Sequence, residues 1–189
     1  LAPDDLEALN LCADLFIRTG QEDLAIETYE QILKLEPRNE HARLVLSTIL
    51  VREGKREEAL ANLKNLMAQD PDLVVAHYYA GRIYLEMERY EEAEKSFSET
   101  LRIDGQFEPA LFDLGTLYQI TDRPKEAIGI YERLLTIYPE NVSARERLID
   151  LYLEQGLAEK AEEESRQLKV LYKPGSLERQ ALGLFYLRQ

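Results

Sequence analysis

The feature that most constrains this chain is a repeat of 34 residues that runs through it without insertion. Alanines recur at this spacing in two columns, Ala8, Ala42, Ala76, Ala110, Ala144 and Ala25, Ala59, Ala93, Ala127, Ala161. A repeat of this length is one supersecondary unit, which buries its apolar face only by stacking on its neighbours. The sequence therefore predicts an array of small units instead of a globule around one core.

Each unit contains two sets of apolar residues with a step of three and four, the period of a helix with one buried face. In the first unit the sets are Leu9, Cys12, Ala13, Phe16 and Leu24, Ala25, Tyr29, Ile32, Leu33. The pattern predicts an all-α chain of antiparallel helix pairs. We expect eleven helices, at 6–18, 21–35, 40–53, 56–69, 74–87, 90–103, 108–121, 124–137, 142–155, 158–171 and 176–188.

Small and large residues also recur where two helices of a unit would meet. One column of helix residues reads Tyr29, Leu63, Phe97, Tyr131 and Ser165. Alternation of these side chains with the alanines favours an interdigitated core. Cys12 shares a column with Leu46, Ala80, Leu114 and Leu148, so we expect it to be a buried, inert thiol.

Glycines mark the turn between the two helices of a unit. Gly20, Gly54 and Gly156 occupy this place, where a helix can end in the left-handed conformation. Glu88 and Asp122 replace the glycine in the third and fourth units. We expect those two turns to close differently.

These columns resemble the tetratricopeptide repeat family. The fourth unit is most similar to the family pattern, with Leu114, Gly115, Tyr118, Ala127, Tyr131 and Pro139, while the second and fifth have Ser47 and Ile149 in the small position. The resemblance implies a right-handed α-solenoid of about eleven helices, a superhelix whose first helices line a concave groove used to bind peptides or partner proteins. The expected divisions are a tail of a preceding repeat or linker (1–5), five repeats (6–39, 40–73, 74–107, 108–141, 142–175) and a terminal helix (176–189), in one continuous domain.

The resemblance also implies which side chains face the groove. The candidate partner-binding residues are Leu44, Tyr78, Tyr79, Arg82, Phe112, Asp113, Thr116, Glu146, Arg147 and Asp150. The same mapping places Thr48, Val51, Arg52, Glu86 and Glu154 there. Our hypothesis is a peptide that anchors bulky apolar residues on Tyr78, Tyr79 and Phe112, with a basic flank toward Asp150 and Glu154. The alternative is that these side chains only pack the inner helices together.

Two known groove chemistries of the family are not matched. The clamp that holds a C-terminal carboxylate needs lysine, asparagine and arginine, and its first possible positions here hold Asn10, Asp14, Val45, Val75 and Tyr79. The asparagine ladder of O-linked N-acetylglucosamine transferase arrays is replaced by Leu11, Val45, Tyr79, Asp113 and Arg147. The ligand class is therefore not transferred from either group.

Charge and composition exclude several other functions. The chain has 36 acidic and 23 basic residues, a net charge of −13, which argues against binding a nucleic-acid backbone. Its single cysteine and two histidines offer no metal site, and no cofactor is expected. No nucleophile or phosphate-binding motif occurs, so an enzyme within these residues is not expected. Apolar runs are too short to cross a bilayer, which predicts a soluble protein without membrane insertion.

Three functions are compatible with this sequence. The first is a protein–protein interaction scaffold that binds a peptide or partner protein in the groove. The others are a regulatory or substrate-presenting array of a larger enzyme, and an adaptor in a bacterial envelope or secretion assembly. The chain starts without Met and ends inside a helical pattern, so we expect it to be a piece of a longer protein, cytoplasmic, or periplasmic if a leader was removed. The apolar terminal helix 176–189 also suggests self-association.

Overall fold

The computed structural model describes residues 5–171 and shows ten α-helices and no strand among them. The helices are Leu6–Arg18 (α1), Glu22–Leu35 (α2), Glu40–Arg52 (α3), Arg56–Gln69 (α4), Val74–Glu86 (α5), Tyr90–Ile103 (α6), Glu108–Ile120 (α7), Pro124–Ile137 (α8), Val142–Glu154 (α9) and Ala158–Leu171 (α10). Each predicted bound is met to within one residue, so the all-α prediction is confirmed. The predicted eleventh helix, and the self-association assigned to it, lie outside the described residues.

The helices pack in consecutive pairs and divide into two compact units. The first unit contains α1 to α6 and ends at Ile103, and the second begins at Asp104 and contains α7 to α10. In the first unit, α2 also packs on α3 and α4 on α5, and in the second α8 packs on α9. Pairs of short helices that are marginal alone are thus stabilised by their neighbours.

The turn inside each of the five pairs has one shared backbone conformation. Gly20, Gly54 and Gly156 have φ angles of 71°, 78° and 71°. The prediction that the other two turns close differently is wrong, because Glu88 and Asp122 adopt φ angles of 58° and 55°. In every turn, the amide of the residue after the left-handed one donates to the carbonyl oxygen five residues earlier, as the Arg89 amide does to Tyr84 at 2.9 Å. The packing of the pair therefore sets the turn, and a non-glycine residue is held in it.

The turn between successive pairs is closed by a side-chain donor. Arg43, His77 and Arg145 each donate to the carbonyl oxygen six residues earlier, at Pro37, Pro71 and Pro139, with distances of 2.8, 2.8 and 2.6 Å. The fourth pair has Leu111 and Gly105 at these positions, and the leucine side chain has no hydrogen-bond donor for the Gly105 carbonyl. There Arg133 of α8 donates to the Gly105 carbonyl at 2.6 Å instead.

Close approach of the two helices of a pair explains the smallest residues. A Cβ atom added to Gly81 would lie 2.7 Å from the Phe97 ring, and one added to Gly115 would lie 2.7 Å from the Tyr131 ring. Both rings are completely buried. The fifth pair reverses the sizes, since Ile149 and Ser165 occupy the equivalent positions and both are buried.

Cys12 is half-buried, which corrects the prediction of a buried thiol. The equivalent residues of the later pairs, such as Leu46 and Leu148, are buried against a preceding helix. Within residues 5–171, α1 has no preceding helix. Leu15, three residues after Cys12 on α1, is 56% exposed, whereas Ile49, the equivalent residue of α3, is 1% exposed. The position in the array, not the residue type, determines this difference.

Candidate functional site

The first unit contains a partly enclosed pocket between α3 and α5. Its volume is about 160 Å³. Three of the predicted partner-binding residues, Leu44, Tyr79 and Arg82, line it. The rest of its wall is Ser47, Thr48, Val51, Arg52, Ile83 and Glu86. The helical period explains the grouping, because residues three and four apart share one face of each helix.

Tyr79 supplies the aromatic ring that lines this pocket. It is 37% exposed, and its ring centroid lies 5.6 Å from that of Tyr78. Tyr78 turns toward the second helix of its pair, with its centroid 6.1 Å from Phe97. Tyr78 is therefore half-buried by this packing, whereas Tyr79 offers its ring to solvent.

Ion pairs surround the pocket mouth. Arg52 lies 3.0 Å from Glu22 on α2, and Glu86 lies 3.2 Å from Arg56 on α4. All four side chains are at least one third exposed, so these pairs contribute little to stability. They connect Arg52 and Glu86 of the pocket wall to the neighbouring helices α2 and α4.

In the second unit, the buried ring of Tyr131 is contacted by two of the predicted residues, Phe112 and Thr116 of α7. The Phe112 ring meets Tyr131 edge-on, with centroids 5.8 Å apart. The Tyr131 hydroxyl lies 3.1 Å from Thr116 Oγ1 and donates to Gln119 Oε1 at 3.0 Å. Phe112 and Thr116 thus help to pack and satisfy Tyr131, and both remain half-buried at the surface.

Charged residues of α7 and α9 act on the same region. Burial raises the pKa of Tyr131, the Thr116 hydrogen bond and the Arg147 guanidinium oppose this, and the Asp113 carboxylate adds to it. Burial also raises the pKa of the Asp150 carboxyl; Arg147 opposes that shift, while Glu154 and Glu146 increase it. Asp150 is therefore a partly desolvated aspartate whose charge is influenced by one arginine, Arg147, and two carboxylates, Glu146 and Glu154.

The two sites have equivalent positions in the repeat. Leu44, Tyr79 and Arg82 of the first unit correspond to Phe112, Arg147 and Asp150 of the second, two repeat lengths later. The structure places Leu44, Tyr79 and Arg82 in one pocket of the first unit. In the second unit it places Phe112 and Thr116 beside Tyr131. One groove that joins the two sites, and the binding role of these residues, stay predictions. Ser47 and Ile83 were missed as pocket residues, because their columns read as core positions in the sequence.

Within residues 5–171, no cluster of three or more histidine, cysteine, aspartate or glutamate residues is arranged to hold a metal ion. Over the same range, no helix is long and apolar enough to cross a membrane.

Comparison with protein families finds the tetratricopeptide repeat over residues 50–117 and 121–169, which is more than half of the chain. A second family, the bacterial transcriptional activator domain, matches residues 1–70. Comparison with curated proteins gives no match.

Solved structures with a similar fold include MamA, at 22% identity over 88% of this chain and 91% of that chain, with a TM-score of 0.77. MamA from Desulfovibrio magneticus RS-1 gives 15% identity over 90% and 97%, again with a TM-score of 0.77. YrrB, described as a TPR protein with an unusual peptide-binding site, gives 21% identity over 78% and 76%, with a TM-score of 0.67. At these identities the likeness shows the fold alone.

Proposed function

Because this chain belongs to the tetratricopeptide repeat family, we propose that it is a protein-interaction scaffold. It binds a peptide or partner protein through the first helices of its pairs, α3 and α5 in one unit and α7 and α9 in the other. The observation that carries the proposal is the pocket between α3 and α5, which is open to solvent and bordered by the exposed ring of Tyr79. Exposed aromatic and arginine side chains next to an apolar pocket are typical of binding hot spots.

The second unit supports the same function with a different surface. Phe112 and Arg147 offer an aromatic edge and a guanidinium, and Asp113, Glu146 and Asp150 offer carboxylates that suit a basic segment of a partner. Retaining Asp150 in a site that raises its pKa is unfavourable for folding at neutral pH, which is understandable if the charge serves binding. The proposal includes no catalytic step and no cofactor.

Affinity capture from a lysate of the source organism tests this function. The variants Tyr79→Ala and Arg147→Ala remove one exposed side chain from each site. Their controls, Leu24→Ala and Arg166→Ala, remove exposed side chains of α2 and α10. We expect the wild type and both controls to retain the same partner, and at least one site variant to lose about tenfold in affinity. Equal capture by all five proteins would contradict the proposal.

A further inference from the structure

Helix α1 carries an apolar face that is largely exposed within residues 5–171. Leu11 and Leu15 lie four residues apart on one side of the helix and are 66% and 56% exposed. A single exposed leucine is ordinary, but neighbouring exposed leucines on one helix face are typical of a surface that another molecule covers. Neither residue lines the pocket between α3 and α5, so this face is independent of the binding sites proposed above.

A helix that preceded α1 as α2 precedes α3 would cover only part of this face. The equivalents of Leu15 in α3, α5 and α9 are at most 3% exposed, because each of these helices packs on the helix before it. The equivalents of Leu11 in α5 and α9 remain exposed even there, and they are Tyr79 and Arg147. A partner that buries both leucines must therefore contact α1 differently.

The charged residues of α1 are arranged so that a second copy of the same helix complements them. Glu7 and Arg18 are exposed at opposite ends of the helix, on the same side as Leu11. About 17 Å of helix axis separates them, so they cannot pair within one helix. Asp14, the third charged residue of α1, accepts from the Tyr29 hydroxyl of α2 at 3.5 Å. The two ends of the exposed face therefore have opposite charges.

We propose that two copies of this chain associate through α1, with the two helices antiparallel about a two-fold axis. In this arrangement Leu11 of each copy packs on Leu15 of the other. Glu7 of each copy then lies next to Arg18 of the other. The two-fold axis repeats each contact, and the antiparallel helix dipoles attract each other. Because one short helix buries little area, the dimer should be weak, with a dissociation constant above about 1 µM.

Sedimentation equilibrium of the whole chain, from about 5 to about 500 µM, measures this association. We expect a reversible monomer–dimer equilibrium. Leu11→Asp should weaken the dimer at least about tenfold, because each dimer loses two buried leucines. Val170→Asp is the matched control, since Val170 of α10 is 81% exposed, and it should leave the equilibrium unchanged. Circular dichroism checks that both variants fold. A strict monomer over the whole range, or a dimer that Leu11→Asp does not affect, would overturn the inference.

Charge reversal distinguishes a second α1 from any other occupant of this face. Glu7→Arg or Arg18→Glu alone should weaken the dimer several-fold at low salt, because each change creates two pairs of like charges. The double variant exchanges the signs and restores both pairs, so it should recover most of the lost affinity. Single reversals without effect would contradict the assigned contacts. A double variant that recovers nothing would show that residues 172–189 or another surface of the second copy covers the face, and the inference would be wrong.

Single cysteines test the direction of the two helices. In chains that carry Cys12→Ser, the changes Glu7→Cys and Arg18→Cys each provide one thiol. Antiparallel pairing separates like positions by at least about 15 Å, whereas a disulfide needs Cα atoms within about 7 Å. Mild oxidation should therefore give a covalent dimer from an equimolar mixture of the two chains and little from either chain alone. Covalent dimers from one chain alone, or none from the mixture, would overturn the antiparallel arrangement.

Discussion

At the scale of single residues, the turns inside the helix pairs show how the fold imposes a conformation on an unsuitable side chain. Gly20, Gly54 and Gly156 enter the left-handed region without steric cost, whereas Glu88 and Asp122 enter it with a Cβ atom. Aspartate tolerates this region better than glutamate does, because its short side chain can bond to the local backbone. Glu88 is therefore the turn residue where the conformational cost is largest.

Replacing Glu88 by glycine should stabilise the protein by about 0.5–1 kcal/mol, because the steric cost of the left-handed conformation exceeds the extra chain entropy of glycine. Urea unfolding followed by circular dichroism measures this. Glu88→Gln is the control, since it removes the charge and keeps the Cβ atom, and it should show no such gain. A Glu88→Gly variant no more stable than Glu88→Gln would contradict the argument.

Asp150 gives a prediction about pH. Its pKa is raised first by burial and further by Glu154 and Glu146, so the charged carboxylate is less favourable in the folded than in the unfolded state. The stability associated with its protonated form is present at low pH and lost as the pH rises through the folded pKa. Asp150→Asn should therefore raise the urea midpoint at pH 7.

The gain from Asp150→Asn should shrink as the pH falls toward the unfolded pKa of aspartate, about 3.9. Glu162→Gln removes an exposed carboxylate of α10 and corrects for the lower net charge. A gain equal to that of Glu162→Gln at every pH would show that the environment of Asp150 imposes no cost. The same Asp150→Asn variant should also weaken binding of a basic partner, which links the cost in stability to function.

At the scale of helices, each pair is held by complementary volumes. Gly115 lies against Tyr131 and Gly81 against Phe97, whereas Ile149 faces the position of Ser165. The register places a large residue on α9 where the earlier pairs have a small one, and the reverse on α10. The fifth pair thus matches the family pattern weakly because its large and its small residue have exchanged helices.

This exchange predicts coupling between Ile149 and Ser165. Ser165→Tyr alone should overfill the interface and destabilise the protein by about 1–3 kcal/mol. Ile149→Ala alone should cost about 2–5 kcal/mol through the space it leaves. The double variant recreates the arrangement of Ala13 and Tyr29 in the first pair. Its loss in the free energy of unfolding should therefore be smaller than the sum of the two single losses by at least about 1 kcal/mol. A double-mutant cycle followed by urea unfolding measures this coupling energy, and additive changes would show that the two residues do not share space.

Helix positions were predictable from the sequence because the alanine columns and the turn residues recur at one spacing. The structure agrees with every bound within residue 171 to one position. The left-handed conformation of Glu88 was not predictable from its own propensity, since packing of α5 on α6 decides it. Nor was the support of the Gly105 carbonyl by Arg133, because that contact joins residues 28 apart in the chain.

The site was predictable only in part for a similar reason. The family resemblance indicated Leu44 on α3 and Tyr79 and Arg82 on α5, and the structure places all three in one pocket. The resemblance treated Tyr78 and Tyr79 alike, although one packs on Phe97 and the other is exposed. That distinction depends on which neighbour each ring meets across the helix pair, and periodicity alone does not contain it.

At the scale of the whole molecule, three of the five described helix pairs contribute to a dependence of stability on alkaline pH. Tyr29, Tyr131 and Tyr152 belong to different pairs and are all buried. Burial raises the pKa of each phenol. The Asp14 carboxylate raises the pKa of Tyr29 further, to about 12. The Glu132 carboxylate accepts a hydrogen bond from the Tyr152 hydroxyl at 2.5 Å and raises the pKa of Tyr152 further. Folding therefore favours the neutral phenols in the first, fourth and fifth pairs.

A raised folded pKa gives stability that is fully present below the unfolded value, about 10 for tyrosine, and is lost as the pH rises through the folded value. The urea midpoint should thus be insensitive to the ionisation of these phenols below about pH 10 and should fall above it, with tyrosinate absorbance rising as the chain unfolds. Tyr29→Phe and Tyr152→Phe lose the ionisable hydroxyl and should each reduce the slope above that pH, even if they are less stable at neutral pH. Tyrosinate absorbance from these residues at full native circular dichroism would contradict the prediction, since it would show that the phenols ionise without unfolding.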